Sequence, residues 1–431
     1  MKSNERASQT RWLVLAMTVG LTVLAVAISR NFVGSAKTVT RQIPHLYSVH
    51  DSAFGRAMGL ALGPSIVSGN RVTALYNGDE IFPAMLQTIR GAQKTVTFET
   101  YIYWAGEIGQ QFAVAFSERA RAGVKVHVLI DWVGSSKVDE NAVAMMKQAG
   151  VSFQEYRPLR WYDLGRLNKR THRKLLVVDG RIGFTGGVGI ADLWSGHAQD
   201  SLHWRDSHFR IEGPAVEQMQ AAFMDNWVKG VGEVLHGDEY FPPQKSVGNL
   251  AAQVFSSSPT GGSESMELMY LLAIAAAEKS IYLSSAYFVP DEFTQTALIT
   301  ALRRGVKVQI ITPGKYMDSK MVRGASRALW GPLLAAGAEM FEYAPSMYHC
   351  KVFIVDELLV SVGSTNWDPR SFGLNDETNL NIYDEDFARR QVDKFRQDLA
   401  KSQRVTLAQW KARPLRVKVT ERLASFFKSM M

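Results

Sequence analysis

Two stretches decide the fold of this 431-residue chain: THRKLLVVDG (residues 171–180) and YHCKVFIVDE (residues 348–357). Each has a histidine, a lysine two residues later and an aspartate seven residues after the histidine, with a run of apolar residues between. An unbroken apolar run of this length indicates a strand buried on both faces of a sheet. A single His-x-Lys carries little information, but recurrence of the whole pattern predicts a duplicated unit whose two copies build one site.

The flanking regions repeat as well. The segment AQKTVTFETYIY (92–103) aligns with AEKSIYLSSAYF (277–288), and GVKV recurs at 123–126 and 305–308. In both copies an amphipathic helix ends at the glycine of GVKV, and a continuously apolar strand follows. This alternation of strands and helices predicts an α/β fold of two pseudo-symmetric halves, with a mixed sheet flanked by helices.

Changes in composition suggest where the segments begin and end. The stretch 31–70 is mixed in character, and the stretch around 245–262 is rich in Ser and Gly, as expected of a joint between halves. The predicted segments are a membrane anchor (1–30), a connector (31–70), the first half (71–245), a linker (246–262), the second half (263–400) and a basic amphipathic tail (401–431).

Strand geometry assigns roles to the polar residues of the motif. Residues i and i+2 of a strand share a face, so each histidine stands beside the lysine of its own motif. Asp179 and Asp356 lie an odd number of residues from their histidines and are predicted to be local supports. Each ring still needs an acceptor for its far nitrogen. Asp206 in HWRDSHF and Glu377 in NDETN are the predicted acceptors.

A second polar turn follows each motif. In the second half it reads GSTN (363–366), where Ser364 and Asn366 share a parity and are predicted to donate to phosphoryl oxygens. The matching turn in the first half is GGVG (186–189), which lacks the amide. The predicted site is therefore asymmetric.

Two histidines and two lysines together suit displacement at phosphorus. Lys174 and Lys351 would stabilise the negative oxygens of a phosphodiester and of its pentavalent transition state. One histidine, His172 or His349, would attack phosphorus, and the other would protonate the leaving alcohol. The lysines supply the positive charge, so neither a metal nor another cofactor is expected.

Composition narrows the class of partner. The apolar fraction of 46% is that of a globular protein, and the lone Cys350, predicted to be small and buried, excludes a disulfide framework. The net charge is +8, but residues 401–431 alone hold eight Lys or Arg against one acid. Charge so concentrated argues against a nucleic-acid partner and favours a membrane surface, the alternative being a solvated terminus.

The N-terminal segment has the character of a membrane anchor. Residues 12–29 carry no charged side chain, and Lys2, Arg6 and Arg11 precede them. A run of this length is just sufficient to span a bilayer, which predicts one transmembrane helix; the alternative is a cleaved signal peptide. The predicted location is the cell membrane, through this single pass or peripherally through the basic tail.

On these motifs the sequence resembles the phospholipase D superfamily, and more narrowly the bacterial cardiolipin synthases. The likeness extends from about residue 70 to residue 431 and includes the segment NWDPRSFGLNDETN (366–379). Many relatives have Asn where this chain has Gly189, which is a departure from the pattern. The resemblance implies that phosphate is bound by Asn366, that His172 is the nucleophile, and that the catalytic signature consists of His172, Lys174, Asp179, His349, Lys351 and Asp356.

The implied activity is a phosphatidyltransferase that joins two anionic phospholipids, phosphatidylglycerol being favoured, through a phosphatidyl-histidine. The first alternative is a phospholipase D that uses water as the acceptor, since both reactions share the first step. A nuclease of the same superfamily and a non-enzymatic membrane scaffold are weaker alternatives. Both motifs lie in one chain, so a monomer suffices to complete the site.

Overall fold

The structure is a computed structural model that describes residues 2–29, 39, 41–159, 168–259 and 266–426. Strands and helices alternate in both halves, as the sequence repeat predicts. The first half of the chain contains α1 (Lys2–Ser29), α2 (Ser52–Leu62), β1 (Val67–Tyr76), α3 (Asn77–Arg90), β2 (Thr95–Thr100), α4 (Glu107–Arg121), β3 (Lys125–Asp131), α5 (Glu140–Gln148), β4 (Ser152–Tyr156), β5 (Arg170–Thr171), β6 (Leu175–Val178), β7 (Ile182–Gly186), β8 (Ser207–Glu212) and α6 (Val216–Val231).

The second half repeats this succession and then continues into the C-terminal tail. Its elements are β9 (Leu250–Ser257), α7 (Met266–Ala276), β10 (Ser280–Ser285), α8 (Glu292–Arg303), β11 (Lys307–Pro313), α9 (Lys320–Ala328), α10 (Trp330–Ala335), β12 (Glu339–Tyr343), β13 (Lys351–Val355), β14 (Leu359–Gly363), α11 (Pro369–Gly373), β15 (Asn375–Tyr383), α12 (Glu385–Leu399), β16 (Ser402–Val405), α13 (Leu407–Lys411) and α14 (Leu415–Phe426).

One continuous sheet runs through both halves. Its strand order is β16-β12-β11-β10-β13-β14-β15-β9-β1-β8-β7-β6-β2-β3-β4, and β5 pairs with β15 outside this path. Apart from the edge strand β16, the strand order is pseudo-symmetric about its centre: β4-β3-β2-β6-β7-β8-β1 in one half corresponds to β12-β11-β10-β13-β14-β15-β9 in the other. The antiparallel pair β1 and β9 joins them. The prediction of a mixed sheet flanked by helices is confirmed.

The strands at the centre of each half are buried on both faces. Every residue of β2, β6, β10 and β13 is buried. Both faces are covered because helices pack on either side of the sheet, forming separate apolar clusters above and below it. This explains why the two motif strands read as unbroken apolar runs.

Two segments predicted to be connecting are in fact part of the folded domain. The segment 31–70 contains α2, whose N-cap Asp51 accepts a hydrogen bond from the Ala53 N–H, and the start of β1. The segment 246–262 contains β9, the strand that joins the halves. Composition alone did not reveal them, because a Ser-rich strand buried in a large sheet resembles a flexible linker.

The basic tail is also partly docked. Within it β16 adds an antiparallel edge strand to β12, and α14 packs on α9. Buried Glu421 binds Arg327 at 3.2 Å and also contacts Arg413. The tail from 401 to 426 therefore belongs to the second half, while its predicted apolar end, residues 427–431, lies outside the described residues.

The N-terminal segment forms α1, a helix of 28 residues whose described apolar side chains are exposed. The expected membrane-spanning helix is not found: within the part of the chain that the structure describes, no helix combines the length and hydropathy needed to cross a membrane.

Candidate active site

Each motif histidine lies at the interface between the halves, where its backbone is hydrogen-bonded to the other half. The N–H of His172 donates to the carbonyl of Asp376 at 2.9 Å, beside the short parallel pair of β5 and β15. In the same way the N–H of His349 donates to the carbonyl of Arg205 at 2.7 Å. The backbone of each half thus fixes the histidine of the other at the seam between them.

Each histidine ring is paired with a carboxylate from the opposite half. His172 Nδ1 lies 3.0 Å from Glu377, and His349 Nδ1 lies 2.8 Å from Asp206 Oδ2. Both carboxylates are fully buried. An ionised carboxylate only accepts hydrogen bonds, so Nδ1 carries the ring proton and the lone pair lies on Nε2. The sequence nominated these two acids but did not assign them to partners.

The two lysines stand beside their histidines, on the same strand face. Lys174 Nζ donates to the carbonyl of His172 at 2.7 Å, and Lys351 Nζ makes the equivalent bond to His349. Both side chains are buried, with 4% and 5% of their surface exposed. Two ammonium groups held this far from water favour an anion between the histidines.

Burial sets the charge state of the site. It lowers the pKa of His172 to about 4 and that of His349 to about 3, with the lysines lowering both further and the paired carboxylates opposing. Burial likewise lowers the pKa of Lys174 to about 7 and of Lys351 to about 8. Both rings are therefore neutral at pH 7, as a nitrogen nucleophile requires.

The two carboxylates remain ionised. Burial raises the pKa of Glu377, but the ring of His172 and the Lys174 ammonium outweigh it and lower the pKa to about 2. Burial also opposes ionisation of Asp206, and His349 again outweighs it, so its pKa is lowered.

The motif aspartates lie at the other end of their strands. Asp179 Oδ1 accepts the N–H groups of Lys94 and Thr95 at 2.7 and 2.9 Å, and the carboxylate of Asp356 accepts those of Lys279 and Ser280. Both aspartates have positive φ, 54° and 50°, in the turn after the strand. They tie the start of the neighbouring strand to the motif, the supporting position that parity predicts.

The polar turns after the motifs differ between halves. Ser364 hydroxyl donates to Glu377, whereas the matching Gly187 lies so close to Asp206 that a Cβ there would stand 2.2 Å from Oδ1. Asp206 receives instead the indole N–H of Trp194 at 2.9 Å. Asn366 is buried, and its Oδ1 makes no hydrogen bond within the described part of the chain.

Aromatic side chains complete the walls, and sequence reasoning gave them no role. The rings of Trp194 and Trp204 each lie 5.3 Å from that of His349, and the ring of Tyr101 lies 5.4 Å from that of His172. The only available signal was their closeness in sequence to the site, which did not distinguish them from core residues.

Two points remain: the thiol of Cys350, and the basic loop that runs from residue 156 into the first motif. Cys350 is 1% exposed, and burial raises its pKa to about 12, which leaves it an unreactive thiol. Residues 160–167 of the basic loop before the first motif lie outside the described residues. Among the residues the structure does describe, no three His, Cys, Asp or Glu side chains are grouped to hold a metal ion.

Comparison with known families places the chain in one of them. The family described as "Cardiolipin synthase, PLD-like domain" matches residues 85–227 and 270–399, one match in each half. The chain belongs to the cardiolipin synthase family of phospholipase D-like proteins. The family resemblance predicted from the sequence is thereby confirmed.

Relatives of this family match most of the chain. A cardiolipin synthase of Geobacillus thermodenitrificans is 35% identical over 365 residues, which cover 84% of this chain and 72% of the relative. A probable cardiolipin synthase of Bacillus subtilis is 34% identical, covering 85% and 73% of the two chains. The phosphatidylserine synthase of Haemophilus influenzae shares the fold, with a TM-score of 0.65 at 15% identity over 88% of this chain and all of the other.

Proposed function

We propose that this enzyme is a phosphatidyltransferase that joins two phospholipids, with phosphatidylglycerol favoured, into cardiolipin and glycerol. The observation that carries the proposal is the pair of neutral histidines, each oriented by a buried carboxylate of the other half and each beside a buried lysine. The names of the family and of its matched relatives support the same reaction.

In the first step Nε2 of His172 attacks the phosphorus of the donor lipid. Glu377 holds the ring with its lone pair towards the phosphorus and stabilises the cation that forms. Lys174 and Lys351 bind the non-bridging oxygens, whose charge rises in the transition state. The P–O bond to the glycerol headgroup breaks, and a phosphatidyl-histidine remains.

His349 transfers the protons. The bound phosphodiester adds a negative charge between the lysines, which raises the pKa of His349 and lets the imidazolium protonate the departing glycerol. In the second step the same ring, now neutral, removes a proton from the hydroxyl of the incoming lipid, which attacks phosphorus and frees His172. Asp206, fixed by the Trp194 indole, stabilises His349 when it is charged.

The enzyme attaches to a membrane through surfaces at both ends of the chain. The exposed apolar side chains of α1 include Trp12, Leu13 and Leu15. On α14, exposed Leu415, Leu423 and Phe426 alternate with basic residues, a composition that suits an anionic lipid surface. Flotation with vesicles should show binding that is reduced by deletion of residues 2–29 and further reduced when residues 415–431 are also removed.

The test of the reaction is a product analysis. Purified enzyme in mixed micelles with labelled phosphatidylglycerol should produce cardiolipin and glycerol, and His172→Ala should produce neither. Phosphatidic acid as the sole product would replace the synthase with a phospholipase D. Equal behaviour of the wild type and His172→Ala would contradict an enzymatic role for this site.

A further inference from the structure

Besides Lys174, the region of the first motif has a second cationic side chain on the side of the catalytic groups, that of Arg170. Residues 170–174, which lead from β5 into β6, point alternately to two sides: Thr171 hydroxyl donates to Glu99, and Arg173 Nη1 donates to the carbonyl of Ala222 at 2.6 Å, both away from the site. His172 and Lys174 point to the other side. By the same alternation Arg170, two residues before His172, belongs to the face that carries the catalytic groups.

The guanidinium of Arg170 is buried and incompletely paired. Arg170 is only 5% exposed, and its Nη1 makes no hydrogen bond within the described residues. Tyr101, whose ring contacts His172, lies within electrostatic reach of it. The acid with the largest electrostatic effect on Arg170 is Asp131, whose oxygens accept the backbone N–H groups of Thr171, at 3.1 Å, and Gly134, at 3.0 Å.

Directly across the strand pair lies an unpaired acceptor. Arg170 of β5 stands opposite Asn375 of β15 in the parallel register. The amide Nδ2 of Asn375 donates to Glu377 at 3.3 Å, but its buried Oδ1 accepts nothing in the described part of the chain. Buried polar groups are nearly always hydrogen-bonded, so an orphan donor and an orphan acceptor on residues opposite one another in paired strands are consistent with a ligand that offers both functions.

We propose, on the basis of the proposed function, that Arg170 binds the phosphate of the second, acceptor phospholipid and that Asn375 accepts a hydrogen bond from its unreacted headgroup hydroxyl. The spacing agrees: two residues of strand span about 6.6 Å. When the acceptor hydroxyl lies at the phosphorus on His172, its own phosphate lies one glycerol away. Water and simple alcohols have no such phosphate, so Arg170 selects a lipid acceptor over them.

The experiment measures how the phosphatidyl group on His172 is divided between two acceptors, phosphatidylglycerol and ethanol. Micelles of phosphatidylglycerol with added ethanol yield cardiolipin and phosphatidylethanol from the same phosphatidyl-enzyme, so their ratio does not depend on the amount of folded protein. Arg170→Gln should lower the ratio of cardiolipin to phosphatidylethanol about tenfold or more, since it removes a hydrogen bond to a charged group. Arg170→Lys should restore part of the ratio, and the exposed control Arg121→Gln should leave it unchanged.

The outcomes separate this inference from the function on which it rests. If the wild type forms cardiolipin and Arg170→Gln keeps the wild-type ratio, acceptor recognition by Arg170 is wrong, even where total turnover falls. If Asn375→Ala changes the ratio in the same direction as Arg170→Gln, the paired recognition is supported. If the wild type forms phosphatidylethanol and no cardiolipin, the synthase function and this inference both fail.

Discussion

At the scale of single residues, the central feature is the exchange of carboxylates between halves. Glu377 from the second half orients His172 of the first, and Asp206 does the reverse for His349. The two pairs are not equivalent. Ser364 supports one carboxylate and Trp194 supports the other, so substitutions at matching positions have different consequences.

Removing the charge of either carboxylate should reduce turnover strongly with little change in fold. Glu377→Gln and Asp206→Asn keep the shape but stabilise the wrong ring tautomer, which we expect to lower kcat by roughly 10³- to 10⁴-fold. Trp194→Phe removes one hydrogen bond to Asp206 and should cost only about tenfold. Steady-state kinetics with circular dichroism measures both effects, and loss of less than tenfold in the carboxylate variants would contradict the orienting role.

The roles of the two histidines can be separated with a lipid that carries a p-nitrophenol headgroup. This leaving group needs no protonation, so His349→Ala should release one equivalent of p-nitrophenolate per enzyme and then stall with phosphate on His172. His172→Ala should show no burst. Mass spectrometry of the trapped adduct locates the phosphoryl group, and an adduct on His349 in the His172→Ala variant would reverse the assignment.

The acid dependence follows from the depressed pKa of the nucleophile. Because burial lowers the pKa of His172 to about 4, the burst with the p-nitrophenol lipid should not weaken between pH 7 and about pH 5. The unfolded chain, whose histidines titrate near pH 6.5, takes up these protons first. The contribution of His172 to the free energy of unfolding should therefore fall as the pH drops from about 6.5 towards 4. Buried carboxyls such as Glu99 and Asp368, whose pKa burial raises to about 7, act in the opposite direction on the total, so the measurement is chemical denaturation of the wild type against His172→Ala at each pH. A burst that declines on acidification with a midpoint near pH 6.5 would contradict a buried, neutral His172.

At the scale of elements, each motif segment holds two parts of the fold together, the opposite half and a neighbouring strand. The histidine at its start donates a backbone hydrogen bond to the opposite half, and the aspartate at its end accepts backbone N–H groups at the start of a neighbouring strand. The turn that holds Asp179 and Asp356 requires positive φ at each, and each carboxylate gathers several backbone N–H groups that otherwise lack partners.

Loss of a motif aspartate should therefore affect stability before chemistry. Asp179→Ala leaves the N–H groups of Gln93, Lys94 and Thr95 without their shared acceptor, which should cost about 2–3 kcal/mol in the free energy of unfolding. Asp356→Ala should behave alike, while Asp139→Ala, which removes the cap of α5 at a half-buried position, should cost about 1 kcal/mol. Turnover per folded molecule that falls a thousandfold in Asp179→Ala would instead give this residue a direct catalytic part.

At the scale of the whole molecule, the sheet that runs through β1 and β9 makes both halves one framework, and the site lies on their seam. Two histidines and two carboxylates, one of each from either half, converge there. Beside them lie two lysines whose pKa values burial lowers. The two ionised carboxylates bind the histidine rings, so a bound anion would give the lysine ammonium groups a charged partner of their own and keep them protonated.

Inorganic phosphate or vanadate should consequently stabilise the protein. At ten times its dissociation constant an anion adds about 1.4 kcal/mol to the free energy of unfolding, which for a chain of this length corresponds to a rise in Tm of about 1.5 degrees. Lys174→Ala should lose most of this rise, while the exposed control Lys137→Ala should keep it. Calorimetry at constant ionic strength provides the measurement, and an equal rise in all three proteins would indicate a general salt effect.

The sequence alone determined the repeat, the mixed α/β architecture and the two motifs, because these depend on local periodicity and on strand parity. It also nominated Asp206 and Glu377, since each ring needed an acceptor. Only the tertiary structure decided that these acids pair across the halves, that Trp194 replaces a serine beside Asp206, and that Arg170 faces Asn375. The contacts across the halves join residues 205 positions apart for His172 and Glu377 and 143 positions apart for His349 and Asp206, and strand order, which periodicity does not encode, brings them together.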